Sequence, residues 1–183
     1  MSVIASVFAA LGVVAPAEAA VDYFLEVDGV PGESRDAKEA KAIDVLSYSW
    51  GAFGVADKKG LASPRLQDLS FTHRVDAASP VLFQRLVQNT VIPSAELIGR
   101  KVGDQPIIFL RWCFQDVQVS SISQSGNEGS DSPSENVTLA YGSASEQYTR
   151  QNADGSAGGT VFAGWNATQG ALITTYPNPC GGV

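Results

Sequence analysis

Apolar and polar positions alternate with a period of two along most of this chain, the pattern of short β-strands with one face turned inward. In "YFLEVDGVPGESRD", Tyr23, Leu25 and Val27 share one face and Phe24, Glu26 and Asp28 the other, before Asp28-Gly29 and Pro31-Gly32 break the run. In "IDVLSYSWG" the same period assigns Leu46, Tyr48 and Trp50 to the core and turns Val45, Ser47 and Ser49 outward, with Gly51 ending the strand. Ala52 to Arg65 carries Gly54, Gly60 and Pro64 without a sustained period and reads as a long loop. Alternation resumes in "LQDLSFTHRVD" through Leu66, Leu69 and Phe71.

A helix follows. Ser79 fits its N-cap and Pro80 its first turn, Leu82, Phe83, Leu86 and Val87 form an apolar stripe, and Asn89 suits a left-handed end. Beyond it "SAELIGRK", "PIIFLRWCFQDVQVSSIS", "ENVTLAYGSASEQYTRQ" and "GTVFAGWNAT" read as strands separated by Gly-, Ser- and Asp-rich turns. The strand and turn rules give about seven to nine strands and one helix, hence a barrel or sandwich with a helix packed on it.

Composition narrows the function. The 183 residues suffice for one domain, and 44% hydrophobic with 17% charged residues is globular. A net charge of -7, with 12 Lys and Arg scattered through the chain, argues against nucleic acid. The opening "MSVIASVFAALGVVAPAEAA" reads as an export-type signal with cleavage near Ala19 or Ala20, although no Lys or Arg precedes its apolar run. That run is shorter than the roughly 20 apolar residues that span a bilayer, so no membrane insertion is expected. Cys113 lies in an apolar strand and Cys180 in the tail, and both a disulfide and two free thiols fit.

Catalytic candidates are few. His73 is the only histidine and reads as an ordinary exposed strand residue; HExxH, GxSxG, Walker A and GxGxxG patterns are absent. The loop "NEGSD" lacks calcium-ligand spacing, and the triplets at Asn136 and Asn166 fit chance. No enzyme, metal or cofactor is expected.

In order, "AVDYFLEVDGVPGES", "IDVLSYSWG", "LQDLSFTHRVDAASPVLFQRLV", "AELIGRKVG", "DVQVSSIS", "ENVTLAYGS", "YTRQNADGSAGG" and "AGWN" resemble the haemolysin-coregulated protein (Hcp) family, the inner-tube protein of bacterial type VI secretion. The resemblance implies a small β-barrel of two antiparallel sheets with one flanking α-helix over residues 21–183, behind a signal-like segment 1–20. It implies homohexameric rings that stack into a tube, partnered by spike and sheath proteins and carrying effector proteins in the lumen. The chain would then be cytoplasmic before assembly and secreted afterwards.

On that resemblance Val45, Ser47 and Ser49 are lumen-lining candidates. Val55, Asp57, Lys58, Lys59 and Leu61 become ring-stacking candidates, and the turn Pro31, Gly32, Glu33 and Ser34 a second contact. The signal-like segment and the Asn89-Thr90 helix end, where the family commonly has Gly, depart from the family pattern. Two readings compete: an exported β-sandwich binding carbohydrate through exposed Trp50, Trp112 and Trp165, and a hydrolase using scattered carboxylates.

Overall fold

The computed structural model describes residues 20–56, 58, 62–103, 106–177 and 180; the expected signal segment, save Ala20, lies outside them. The strands are β1 (Val21–Val27), β2 (Ile43–Ser49), β3 (Ala52–Ala56), β4 (Ala62–Leu66) and β5 (Leu69–Arg74), then helix α1 (Ala78–Val87). They continue with β6 (Ile92–Lys101), β7 (Ile107–Ser125), β8 (Ser134–Ala140), β9 (Ser143–Gln151), β10 (Ala157–Asn166) and β11 (Ala171–Ile173).

Strands β7, β6, β1, β2, β5 and β8 pair in that order, and β8 returns to β7, so the ring closes as a six-stranded antiparallel barrel. The expected mainly-β barrel with a flanking helix is therefore what forms, its sheets fused through the long β7. The residues Leu110–Gln115 of β7 pair with β9, and Gln118–Ser125 pair with β8. The change of partner falls at Asp116, whose φ of 54° is left-handed, a conformation Asp tolerates through its short polar side chain. Facing it, the Gly142 amide donates to the Gln115 carbonyl at 2.9 Å and separates β8 from β9. Strands β9, β10 and β11 extend past the barrel as a wing.

Two expectations for the β2 to β4 region change. Ala52–Arg65 is a hairpin, β3 against β4 with Phe53 opposite Arg65, because alternation too short to detect in sequence is completed by the partner strand. In β2, Val45 opposes His73 while Ser47 opposes Thr72, so Leu46 is an extra residue against β5. This bulge reverses the phase of the strand. Ile43 and Val45 are core, Leu46 is 57% exposed, and Tyr48 and Trp50 pack inward beyond the bulge.

The barrel interior is filled by Leu25, Ile43, Leu69, Phe71, Leu97, Phe114 and Leu139, closed by Leu82 of α1. Helix α1 starts one residue before Ser79: the Ala78 amide donates to Asp76 Oδ1 at 2.9 Å and the Asp76 amide to Ser79 Oγ at 3.2 Å. Asp76, rather than Ser79, therefore supplies the oxygen that accepts from a helix amide, while Ser79 reaches back to the Asp76 amide. Asn89 is left-handed as expected, at φ 50°.

Candidate assembly surfaces

The quoted stretch Tyr23–Asp36 turns out to be a strand followed by a strapped-down loop. Arg100 of β6 lies 6% exposed and reaches across to Asp36 with both terminal guanidinium nitrogens, Nη1 donating to Oδ1 at 2.8 Å and Nη2 to Oδ2. Its plane covers the Phe24 ring, 4.7 Å from the centroid. The amides of Lys38 and Glu39 donate to Asp36 Oδ1 at 2.8 and 3.1 Å. The Arg100 hydrogen bond, followed by these amides, holds the Asp36 carboxyl far below the usual carboxylate range.

A group whose folded-state pKa is depressed contributes stability above its unfolded value, about 3.9 for Asp, and loses it as pH falls toward the folded value. Arg100→Met should therefore lower the urea midpoint at pH 7 and narrow its gap to the native chain below about pH 4. A gap that stays constant down to pH 2.5 would contradict the assignment.

The strap decides which turn residues face out. Pro31 and Glu33 are exposed, whereas Gly32 and Ser34 are buried, a correction to their expected role as contact side chains. The Gly32 amide donates to the Lys41 carbonyl at 2.6 Å, and a Cβ on Gly32 would stand 2.5 Å from the Ala42 carbonyl oxygen. Only glycine fits there.

Among the lumen candidates Ser47 and Ser49 are exposed, but Val45 is 7% exposed and packs in the core because of the bulge at Leu46, so it cannot line a channel. Of the stacking candidates, Val55 lies in β3 and Lys58 is exposed at the hairpin end; Asp57, Lys59 and Leu61 lie outside the described residues.

Two groups of apolar side chains stand exposed. Phe83 and Val87, one turn apart on α1, are 57% and 63% exposed, and Val91 just past the helix end is 53% exposed. The sequence shows the stripe but cannot say that it is two helix rows wide, with Leu82 and Leu86 taking the core side. On the wing Tyr148, Val161 and Leu172 are exposed at 42%, 59% and 76%. Tyr148 and Val161 are cross-strand partners and form one surface.

His73 is not an exposed strand residue. It is fully buried, and its Nε2 lies 2.9 Å from Glu135 Oε2, with the Gln124 amide donating to the other carboxylate oxygen. Asp76 Oδ1 is 3.7 Å from Nδ1. Burial, the largest influence, pushes the Asp76 carboxyl up. The group resembles a catalytic arrangement in composition, but His73 and Glu135 have no solvent contact through which to meet a substrate. Among the described residues no group of three or more His, Cys, Asp or Glu side chains is placed to hold a metal ion.

Cys113 and Cys180 form a disulfide with Cα atoms 5.8 Å apart. It pins the tail beside Glu96, which accepts from Arg111 Nη1 at 2.7 Å and from the Tyr176 hydroxyl at 2.9 Å. The tryptophans do not form an exposed platform: Trp112 is 8% exposed and stacks near Trp50, centroids 4.1 Å apart, while Trp50 and Trp165 are half-buried.

Comparison with known proteins agrees with this architecture. Residues 24–148 match the family described as type VI secretion system effector, Hcp. Protein hcp1 of Pseudomonas aeruginosa is 38% identical over 157 residues, which is 82% of this chain and 97% of the relative. The crystal structure of Hcp1 from Salmonella typhimurium superposes with a TM-score of 0.72 at 33% identity, over 84% of this chain and 99% of the other. The solved structure of a type six secretion system protein gives 0.78 at 31% identity, over 84% of this chain and all of its own. The chain belongs to the Hcp family of type VI secretion system effectors.

Proposed function

We propose that this chain builds closed homohexameric rings that stack into a type VI secretion tube, with effector proteins carried in the lumen and spike and sheath proteins as further partners. The observation that carries the reading is the pair of unlike apolar patches, one on α1 and one on the wing. A patch that matches itself makes a two-fold dimer, whereas two different patches that match each other make a head-to-tail contact, which closes into a ring where the rotation between neighbours permits and otherwise runs on as a filament. Barrel closure supports the same division of labour. Because β8 pairs on both sides, the free margins among the described residues are those of β11 and the β3–β4 hairpin. Both stand outside the barrel, where a neighbour can reach them.

In this arrangement Ser47 and Ser49 face the channel and offer cargo a small polar wall. Phe53, 53% exposed in the hairpin, and Lys58 meet the next ring, with Pro31 and Glu33 as a second contact. The work is mechanical and requires no turnover. The protein would be made in the cytoplasm and leave the cell with the tube.

Light scattering on the full chain should give six times the chain mass. Phe83→Glu and Leu172→Glu should each shift the population to monomer; compared with the native chain diluted to monomer, each should keep its stability within about 0.5 kcal/mol, since both side chains are solvent-facing in the single subunit. A native chain that remains monomeric at high concentration would overturn the ring. Intact rings in both variants would move the contact elsewhere on the surface.

A further inference from the structure

Between the barrel and the wing lies a cleft of about 580 Å³, within the range of small-molecule sites. Its lining includes Trp50, Trp112, Trp165, Phe162 and Thr174, and the one charged side chain among its lining residues is Glu146. All three tryptophans of the chain meet here. Trp50 already has a partner for its indole N–H, the Tyr141 hydroxyl at 2.5 Å, so what it offers the cleft is its ring.

Glu146 is placed by the sheet. It lies opposite Trp112 of β7 on one side and Ala163 of β10 on the other, so both cross-strand neighbours are apolar. Among the described residues it forms no hydrogen bond and no ion pair, although it is half-buried. Partial burial pushes its carboxyl up. Aromatic faces around an uncompensated carboxylate make an electrostatic environment that favours a cation.

We propose that this cleft binds a small organic molecule bearing a methylated ammonium group, of the choline type. A primary ammonium or a guanidinium brings three to five N–H donors, and a cleft with one carboxylate and one hydroxyl would leave most of them unsatisfied. A trimethylammonium group has no N–H donor. It presents a positive, apolar surface to the rings, places its charge against Glu146, and leaves room for the remainder of the molecule. Leu172 lines the cleft and also belongs to the wing patch of the proposed ring, so a neighbouring subunit would stand at its mouth and the test has to be made on a single subunit as well.

Because all three tryptophans line the cleft, intrinsic fluorescence of the full chain reports on it directly. Titration with choline chloride at constant ionic strength should give a saturable change. 3,3-Dimethyl-1-butanol, which replaces the quaternary nitrogen with carbon and is neutral, should bind at least about tenfold more weakly. Glu146→Gln keeps the side-chain shape and should weaken choline by a similar factor without changing the response to the neutral alcohol. Equal binding of choline and the alcohol would overturn the proposal by showing a merely apolar cleft. So would unchanged choline affinity in Glu146→Gln, or no saturable response at all. The same titration on Phe83→Glu, which the ring reading makes monomeric and which leaves every lining residue in place, separates the two: no saturable response in that monomer removes the ligand, while light scattering on the native chain reports the ring.

Discussion

Cys180→Ser should cost the folded subunit about 3 kcal/mol and lower its melting midpoint by roughly 10 °C. The bond joins residues 67 apart, so cutting it frees a long loop in the unfolded chain, and the loop-entropy relation gives about 4 kcal/mol for that length. The measured loss should fall somewhat short, because the tail keeps other contacts. Tyr176 still donates to Glu96 and still packs edge-on against Phe162, with ring centroids 5.9 Å apart. Both cysteines are nearly inaccessible, Cys113 at 1% and Cys180 at 5%, so the thiols of a reduced subunit would remain packed against the same surface.

Three comparisons isolate the bond. Cys113→Ser and the double variant should match Cys180→Ser, since all three remove one interaction. A dithiol reductant should bring the native protein to the same midpoint and leave the variants unmoved. A native midpoint indifferent to the reductant, with two thiols titrating in the unfolded protein before any is added, would show that the disulfide does not form.

The barrel was legible in the sequence because its strands are long enough to show their period: Tyr23 to Val27, Leu69 to Phe71 and the run ending β6 each alternate or stay apolar over several residues. What the period could not show was its own interruption. A bulge is one extra residue, and nothing in "IDVLSYSWG" distinguishes Leu46 as that residue; it is defined by Val45 meeting His73 and Ser47 meeting Thr72 on another strand. The assignment of Val45 to the channel failed for that reason, whereas Ser47 and Ser49 lie beyond the bulge and kept their side. The same limit hid the turn at Tyr141-Gly142, where one apparent strand is two, and the hairpin over Ala52–Arg65.

Long-range polar partners were invisible for a related reason. Arg100 and Asp36 are 64 residues apart, and His73 and Glu135 are 62 apart. In each pair both residues look like ordinary surface charges until the sheet brings them together. The apolar patches were half legible. Phe83 and Val87 were seen as part of a stripe, but only packing reveals which row of the helix the barrel takes and which it leaves for a neighbour.

His73→Leu should destabilise the subunit by about 3 to 4 kcal/mol, the range for breaking a buried polar pair by removing one member. Glu135 is fully buried on β8, and in the native protein its two oxygens are met by His73 Nε2 and by the Gln124 amide. Leucine removes the first of these and offers nothing in exchange. The desolvated oxygen then carries the penalty, not the lost bond alone. Removing both members should cost less than removing one: His73→Leu combined with Glu135→Leu leaves no carboxylate to satisfy, and the pair of positions faces each other across β5 and β8. A double variant more stable than His73→Leu alone would be the signature of a buried pair retained for register, because an apolar couple can slide along the strand where a hydrogen-bonded one cannot. Additive losses, with the double variant below both singles, would instead show that each side chain matters for its own packing, and the polar contact between them would have no role in holding β5 against β8.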